Sequence, residues 1–502
     1  MLREPRTRGG APNDEESNLE GINFMRRSKR FSIVVSYLVA IFTLTLFGAS
    51  TNAQTFTTLH SFDGTDGRQV FAGLVQGANG YFYGATGAGG ANNACSGGCG
   101  TVFKITATGK LTRLYSFCSQ SGCPDGIAPD ATLVQDTNGN LYGTTFGGAN
   151  GGGTVFKISP GGELTTLYTF CSESGCSDGN GSDAPLVRAT NGDLYGTTLF
   201  GGASKACSGG GCGTVFKITL TGTLTTLHSF DSTDGDAPRA LVQGTDGNFY
   251  GTATQGGANG GGTVFKISPS GKLTTLYNFC SLSGCTDGDA PLAGLVQGTD
   301  GNFYGTATQG GANGYGTVFK ITPNGKLTTL DSFAPYGFPE ATLVLATDGD
   351  FYGTTSSGGT EGYGTIFKIT PSGKLITLHT FDGTDGGAIA AALVQNTNGK
   401  FYGTAPVGGA NNDGTVYRLS VSLGPFVETQ PTSGKVGATV KILGTDLTGA
   451  TSVTFNGTAA VFKVVSASLI TTNVPTGATT GTVKVTTPKD TLKSNVAFWV
   501  TK

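Results

Sequence analysis

Residues 292–333 read LAGLVQGTDGNFYGTATQGGANGYGTVFKITPNGKLTTLDSF, and they contain one complete unit of a repeated pattern. It divides into four extended segments, A to D, with the sequences AGLVQ, FYGTAT, GTVFKIT and LTTLDSF. Thr-Asp-Gly-Asn separates A from B, and Pro-Asn-Gly-Lys separates C from D. Asx-Gly between alternating segments predicts hairpins with primed turns, because Gly and Asn tolerate the positive φ that such turns need. The stretch therefore predicts four antiparallel strands.

The same pattern occurs seven times along the chain. Its Tyr-Gly pair recurs with spacings of 59, 53, 55, 54, 48 and 50 residues, at Tyr83, Tyr142, Tyr195, Tyr250, Tyr304, Tyr352 and Tyr402. A Gly-Thr-[Val/Ile]-[Phe/Tyr]-[Lys/Arg] segment follows each pair. Four strands in a period near 50 residues are typical of the blades of a β-propeller.

The two ends of the repeat region complement each other. The segment TFTTLHSF at Thr55–Phe62 is a strand D that no A, B or C precedes, and the last repeat ends with its strand C at Gly414–Ser420. We therefore expect the N-terminal strand to complete the seventh blade and close the ring, which removes the exposed sheet edges of an open array. The predicted fold is all-β, with a seven-bladed β-propeller over residues 54–422.

The repeat resembles a known tandem repeat of bacterial proteins. Its pattern here is L-V-Q-x-x-x-G-x-[FL]-Y-G-T, then G-G-x, then G-T-V-F-K-I-[TS] and finally G-x-L-[TI]-x-L-x-x-F. This pattern is similar to the Gloeo_Verruco (GloVer) repeat over about residues 55–420. The resemblance implies a repeat architecture and export, and it implies no particular chemistry.

The tail breaks the period and predicts a second domain at residues 423–502. It resembles an IPT/TIG domain, an Ig-like β-sandwich, in short motifs that stand at Pro431–Gly434, Val436–Gly437, Ile442–Gly444, Val453–Gly457, Val474–Pro475 and Gly481–Val485. The resemblance implies a spacer or an interaction module.

Residues 1–53 are expected to be an N-terminal extension and a signal peptide. The basic segment Arg26–Arg30 precedes the mostly apolar residues 31–49, as in a secretory signal. Residues 1–24 are polar, so Met25 is the expected start. An uncleaved membrane anchor is the alternative, because 19 apolar-biased residues nearly span a bilayer. Cleavage would give a secreted or cell-surface protein, extracellular or periplasmic, with no membrane attachment.

Charge and cysteine content fit export. The formal net charge of −2 over 502 residues excludes a strong field for nucleic acid or anionic lipid. The ten cysteines form five close pairs, Cys95/Cys99, Cys118/Cys123, Cys171/Cys176, Cys207/Cys212 and Cys280/Cys285. Local disulfides are expected in an oxidising compartment, whereas metal binding lacks nearby His partners. We predict no metal and no cofactor.

Several polar residues repeat with the blades, which favours a structural role. His60, His228 and His379 share one position of strand D. A cation recurs in strand C, at Lys104, Lys157, Lys217, Lys266, Lys320, Lys368 and Arg418. A basic ring for an acidic polymer is the alternative to solvated side chains that cover the blades. Strand A repeats an amide at Gln76, Gln135, Gln243, Gln297 and Gln395, which we interpret as packing around water in the channel rather than as ligand contacts.

Binding is expected where the repeats differ. The A–B and C–D turns are nearly uniform and share one face of a propeller, whereas the B–C and D–A loops vary in length and carry all five cysteine pairs. We call the second face the disulfide face. Its aromatic candidates for ligand contact are Phe146, Phe200, Tyr315, Tyr336 and Tyr363. Its acidic candidates are Asp125, Asp178 and Asp287, for which turn formation and Ca²⁺ binding are the alternatives.

The sequence favours a non-catalytic exported protein, binding or structural, that presents the disulfide face to an extracellular glycan or protein. The alternatives are a propeller enzyme acting on carbohydrate, lactonase-like or lyase-like, and a surface-layer component. An enzyme would need carboxylates, His or a metal that converge at the channel mouth, and we expect no asymmetric cluster of that kind.

Overall fold

The computed structural model describes residues 54–204, 206–207 and 210–501. The predicted signal peptide and the Met25 start lie outside these residues. Two short 3-10 turns, Ser174–Cys176 and Ser283–Cys285, accompany the strands. Within the described part of the chain, neither has the length and hydrophobicity of a membrane-spanning helix.

The repeat region forms seven antiparallel four-stranded sheets, each with its strands A to D side by side. The chain begins with β1 (Thr55–Ser61). The first three blades contain β2 (Val75–Gln76), β3 (Phe82–Thr86), β4 (Thr101–Ile105), β5 (Leu111–Ser116), β6 (Val134–Gln135), β7 (Leu141–Thr145), β8 (Thr154–Ile158), β9 (Leu164–Thr169), β10 (Val187–Arg188), β11 (Leu194–Thr198), β12 (Thr214–Ile218) and β13 (Leu224–Ser229). The other four contain β14 (Asp236–Gln243), β15 (Phe249–Gln255), β16 (Thr263–Ile267), β17 (Leu273–Asn278), β18 (Val296–Gln297), β19 (Phe303–Ala307), β20 (Thr317–Ile321), β21 (Leu327–Ser332), β22 (Val344–Leu345), β23 (Phe351–Thr355), β24 (Thr365–Ile369), β25 (Leu375–Thr380), β26 (Val394–Gln395), β27 (Phe401–Ala405) and β28 (Thr415–Ser420).

The N-terminal strand joins the last blade, as the sequence predicts. β1 pairs antiparallel with β28, with Thr55 opposite Ser420. Contacts also join the seventh blade to the first: the rings of Phe82 and Tyr402 lie 4.2 Å apart, and the Thr404 hydroxyl donates to the Ala72 carbonyl at 2.8 Å. The first and last strands of the repeat region therefore meet in one sheet.

The repeated Tyr-Gly pair builds the contact between neighbouring blades. The Tyr250 ring stacks on Phe303 of the next blade at 3.9 Å, and its hydroxyl donates to Asp246 of its own A–B turn at 2.9 Å. The following glycine leaves room for the aromatic of strand C, because a Cβ on Gly305 would lie 2.7 Å from the Phe319 ring. These contacts explain why the pair recurs in every blade.

The tight turns differ in type from the prediction. In the A–B turn of the fifth blade, Gly298 donates to the Asn302 carbonyl at 2.8 Å, and Gly301 donates back to Gly298 at 3.0 Å. Gly301 has φ +78°, whereas Asp300 is not in the left-handed region. The loop is thus a three-residue hairpin connection with glycine in the left-handed position, and the prediction of primed turns is wrong.

The repeated glutamines link the blades at the A–B turn end of the inner strands. The side-chain oxygen of Gln297 accepts from the Thr245 amide of the preceding blade at 3.0 Å. Five such bonds of 3.0 or 3.1 Å join Gln76 to Thr397, Gln135 to Ala78, Gln243 to Thr190, Gln297 to Thr245 and Gln395 to Thr347. Arg188 and Leu345 occupy this position in the other two blades. The side-chain amides therefore form interblade contacts.

The tail forms a β-sandwich. Its strands are β29 (Glu428–Gln430), β30 (Ser433–Lys435), β31 (Thr439–Leu443), β32 (Ser452–Phe455), β33 (Thr458–Ala459), β34 (Phe462–Ser466), β35 (Leu469–Asn473), β36 (Val483–Thr486), β37 (Thr491–Lys493) and β38 (Trp499–Thr501). Two four-stranded sheets, β29-β31-β35-β34 and β33-β32-β36-β37, enclose Val440, Ile442, Phe455 and Val485.

The sandwich contacts the turn face of the propeller, opposite the disulfide face. Phe426 donates its amide to the Thr397 carbonyl at 2.9 Å, and the Thr397 and Thr445 hydroxyls lie 3.0 Å apart. Thr397 belongs to the A–B turn of the seventh blade. The tail therefore leaves the described part of the disulfide face free of these contacts.

Candidate functional site

All five predicted disulfides form. Cys95–Cys99 and Cys207–Cys212 lie in B–C loops. Cys118–Cys123, Cys171–Cys176 and Cys280–Cys285 lie in D–A loops. Each disulfide closes a short stretch of its own loop, so the bridges stiffen the disulfide face without joining distant blades.

The acidic candidates are buried beneath the D–A loops, where they accept hydrogen bonds. The carboxylate of Asp287 is buried, and it accepts from the Tyr277 hydroxyl at 2.8 Å and the Ser281 amide at 2.9 Å. Asp125 and Asp178 have the same environment, with Tyr115 and Tyr168 as donors. These side chains lie beneath the loop surface, where they order the loops.

The three histidines occupy the same position in the shorter D–A loops. His60, His228 and His379 each place Nε2 2.7 Å from an aspartate, namely Asp66, Asp234 and Asp385. Tyrosine makes this contact in the loops with a disulfide, and histidine makes it in three loops without one. The His–Asp and Tyr–Asp pairs therefore have the same structural role, which agrees with the structural interpretation of the histidines.

The strand C cations contact the A–B turns. Lys266 lies 2.8 Å from Asp246, and Lys368 lies 2.7 Å from Asp350. The same two ammonium groups lie over the rings of Tyr250 and Tyr352. Together with Lys217, which lies 4.0 Å from Asp193, these residues show that three of the seven cations are paired within their own blade. This pairing weakens the interpretation as a basic ring.

The aromatic candidates lie in the loops of the disulfide face, in separate groups. Phe146 and Phe200 both approach Gly181, whose Cβ would lie 3.1 and 3.4 Å from the two rings. The rings of Tyr315 and Tyr336 are 5.3 Å apart. Tyr363 packs on a different D–A loop. Exposed fractions are 41% for Phe146, 44% for Tyr363 and 63% for Tyr336, so these rings are accessible to a large ligand.

A cavity of about 340 Å³ lies where the seven D–A loops turn into the inner strands. Each blade contributes one side chain from an equivalent backbone position. The seven residues at this position are Phe71, Asp130, Asp183, Arg239, Leu292, Glu340 and Ala390. We call this space the axial cavity. Its lining combines acidic, basic, aromatic and aliphatic groups, although the blades around it are alike.

A repeated backbone conformation directs these residues toward the axial cavity. Two positions before each lining residue, the chain adopts a left-handed conformation, at Gln69, Ala128, Gly181, Ala237, Ala290, Phe338 and Ala388. Six of these seven residues are not glycine and pay a conformational cost. The B–C loop fixes the bend, as when Phe146 donates its amide to Ala128 at 3.0 Å. The fold thus holds one side chain per blade at the axial cavity.

The charged residues of the axial cavity form an asymmetric cluster. Arg239 donates to Asp183 at 2.9 Å and to the Thr254 hydroxyl at 2.8 Å. Glu340 accepts from the Ser356 hydroxyl at 2.8 Å. The expectation that no such cluster exists is wrong, because these residues lie far apart in the sequence and converge only when the blades form a ring. The signal in the sequence was the variable residue two or three places before each Leu-Val of strand A.

Burial perturbs two of these carboxyl groups. Burial, and to a lesser extent the negative charge of Asp183, raise the pKa of Asp130 to about 6. Burial also raises the pKa of Asp183, although Arg239 opposes that shift. Oδ1 of each residue is buried and has no hydrogen-bond partner within the described residues. Two carboxyl groups that line the axial cavity therefore each keep one oxygen buried without a donor.

Metal-ligand geometry is confined to two other places in the described residues. Cys207, Cys212 and Asp236 form one group within 4.8 Å, and Cys280, Cys285 and Asp289 form the other. Each group contains the two sulfurs of a disulfide, which are not thiolate ligands. The described carboxylates of the axial cavity do not form a comparable group.

Comparison with known families identifies the repeats. The Gloeobacter/Verrucomicrobia repeat matches residues 39–209, 176–337 and 335–457. The chain belongs to this repeat family. The IPT/TIG domain matches residues 426–499, so both resemblances seen in the sequence are confirmed. No curated protein sequence matches the chain.

Comparison with solved structures finds matches at low sequence identity. A fungal alcohol oxidase of the AA5 family, solved with copper, is 13% identical with a TM-score of 0.50, over 89% of this chain and 99% of that one. The extracellular domain of a proposed hybrid two-component system of B. thetaiotaomicron is 14% identical with a TM-score of 0.48. That match covers 90% of this chain but only 58% of the other protein. At 13% identity the likeness to the oxidase concerns the fold alone.

Proposed function

We propose that this chain is an exported binding protein that receives an extracellular glycan or protein on its disulfide face and anchors one group of that ligand in the axial cavity. The aromatic rings of the surrounding loops would contact the rest of the ligand. The tail domain would act as a spacer on the opposite face.

One observation carries this proposal. Seven equivalent backbone positions bring Phe71, Asp130, Asp183, Arg239, Leu292, Glu340 and Ala390 to one cavity, and no two neighbours in this series are alike except the two aspartates. Contacts that build the blades repeat, so divergence at one structural position supports recognition of a particular molecule. The disulfides support the proposal as well, because ordered loops lose less entropy on binding.

A glycan array and a pull-down of extracellular proteins test the proposal when they compare two bulky variants. Ala390→Trp would fill the axial cavity from the seventh blade, where Ala390 is only partly buried. Thr223→Trp places the same ring on an exposed C–D turn of the turn face. We expect Ala390→Trp to abolish binding and Thr223→Trp to leave it unchanged.

The outcomes separate the cavity from the loops. Equal binding by the two variants would refute the anchoring role of the axial cavity. Binding that survives mild reduction of the five disulfides would refute the argument from ordered loops. Absence of any ligand in both screens would favour the structural alternative, a surface-layer component.

The axial cavity also favours a second candidate, an enzyme acting on carbohydrate. A carboxyl group with a pKa of about 6, beside a second carboxylate and a guanidinium, is suited to general acid–base catalysis near neutral pH. Product formation from lactones or polyuronides, lost in both Asp130→Asn and Asp183→Asn, would establish this activity. Turnover that persists in both variants would exclude these residues as the catalytic groups.

A further inference from the structure

We infer that the axial cavity binds a compact organic cation, whose ammonium group is received by Asp130 and whose carbon skeleton lies against Phe71. This inference rests on the proposed function, because it assigns a ligand class to the same cavity.

The first argument is charge balance. Three carboxylates and one guanidinium line the cavity, which leaves two negative charges in excess. The guanidinium of Arg239 is already used by Asp183 and by the Thr254 hydroxyl. Within the described residues, no ion pair reaches Asp130 or Glu340. The cavity therefore attracts a cation and repels an anion.

The second argument is the lack of compensation for a partly buried carboxylate. Oδ1 of Asp130 and Oδ1 of Asp183 are inaccessible to solvent and accept no hydrogen bond from the described residues. The Asp183 side chain is only 24% exposed, so water reaches little of it. A ligand in the cavity does not reach these two atoms, since Oδ1 of Asp130 lies against Gly87. An ammonium group beside the other oxygen of Asp130 supplies the positive charge that this partly buried carboxylate lacks.

The third argument favours an organic cation over a metal ion. The described carboxylates of the cavity do not bring three ligand oxygens within 4.8 Å, whereas Ca²⁺ takes six to eight. Much of the remaining lining is apolar, including Ala131, Ala184 and Ala240. The Phe71 ring lines the cavity and is 43% exposed, so a cation in the cavity can contact it. A cavity of about 340 Å³ admits a molecule the size of a monosaccharide or a small ring amine.

Calorimetric titration of the disulfide-bonded protein at pH 7 tests the inference with two matched pairs of probes. Cyclohexylamine is compared with cyclohexanol, and glucosamine is compared with glucose. We expect each amine to bind at least about tenfold more tightly than its neutral partner, in line with a charge-assisted hydrogen bond. Asp130→Asn should weaken amine binding about tenfold or more. Asp446→Asn, which removes an exposed carboxylate of the tail, should not change it.

The possible results distinguish this inference from the proposed function. Neutral probes that bind as well as the amines, or amine binding that Asp130→Asn leaves unchanged, would overturn the organic cation. A neutral or acidic ligand lost only in Ala390→Trp would overturn it too, while the proposed function would stand. If Ala390→Trp changes the binding of no ligand, both fail. A thermal melt of each variant confirms that it folds.

Discussion

The two ends of the inner strands differ in a way that separates scaffold from site. At the A–B turn end, five blades use the same glutamine to bond to the preceding blade. At the other end, seven equivalent positions carry six different residue types around the axial cavity. Residues at the first end satisfy one another, whereas Asp130 and Asp183 at the second keep oxygens without partners. Uniform contacts stabilise the ring, whereas the varied residues at the other end form the candidate site.

The largest expected effect concerns the uniform part of the blades. Gly305→Ala would place a Cβ 2.7 Å from both Leu295 and Phe319, and overpacking should lower the free energy of unfolding by about 2–3 kcal/mol. Gly424→Ala, with open space around its Cβ, should change it by less than about 0.5 kcal/mol. Urea denaturation measures both, and equal effects would show that close packing at strand B does not explain the Tyr-Gly pair.

The next prediction concerns Asp130, whose replacement should stabilise the protein rather than destabilise it. Because the pKa of Asp130 is raised in the folded protein, ionisation costs stability as the pH rises from about 4 through about 6. Asp130→Asn removes this cost, so it should stabilise the protein at pH 7.5 by about 2 kcal/mol and have little effect at pH 4. Thermal melts at the two pH values measure this gain, which would mark a residue kept for function at the expense of stability.

Asp246→Asn is the control for this stabilisation, because the pKa of Asp246 is shifted in the opposite direction from that of Asp130. Burial works to raise the pKa of Asp246, but hydrogen bonds from Lys266, Asn248 and Tyr250 outweigh it and hold the pKa at about 2. Such a group stabilises the fold above pH 4 and loses its effect as the pH falls through about 2. The Asn variant should therefore be less stable at pH 7.5. Higher stability of both variants at pH 7.5 would contradict the distinction between the two ends of the inner strands.

A smaller effect is expected where a glutamine is removed or added. Gln297→Leu leaves the Thr245 amide and the Gly301 carbonyl without this partner, which should cost about 1–2 kcal/mol. Leu345→Gln restores the repeated residue in the sixth blade and should stabilise by about 0.5–1 kcal/mol. Chemical denaturation checks both changes. A loss in the second variant would mean that Leu345 has a packing role of its own.

The smallest effect on stability belongs to the site. Phe71 and Phe146 are 43% and 41% exposed, so either alanine variant should change the free energy of unfolding by less than about 0.5 kcal/mol. Only Phe71 lines the axial cavity. Phe71→Ala should therefore weaken binding of a cyclohexylamine probe about fivefold or more, and Phe146→Ala should not. Calorimetric titration of the two variants shows whether the probe binds in the axial cavity or at the surrounding loops of the disulfide face.

Much of the fold was predictable because its contacts are periodic. The Tyr-Gly pair, the strand C segment and the complementary terminal strands predict four-stranded blades and the pairing of β1 with β28. The cysteine pairs are so close in sequence that their partners follow directly. The turn type was not predictable, since Asp-Gly fits both a primed turn and a hairpin with one left-handed glycine.

The site was harder to predict for a physical reason. Asp130, Asp183, Arg239 and Glu340 each look like loop residues beside a repeated strand. Only the curvature of the ring brings them to one cavity, and only burial perturbs their carboxyl groups. The aspartates that drew attention, Asp125 and Asp287, recur regularly because they fix the loops. In a repeat protein, a residue that differs from its equivalents in the other blades carries more information about function than a residue that all blades share.

The pairing of β1 with β28 also sets the order of assembly. Thr57 and Arg418 contact each other across 361 positions of the chain. During synthesis, β1 emerges first and finds its partner strand last, so the seventh blade stays incomplete until nearly the whole repeat region exists. A chain that stops before β28 keeps β1 as an unpaired edge, prone to join other chains. Pairing with β28 therefore covers one edge of β1, which remains the outermost strand of its sheet, and it does so only once the repeat region is complete.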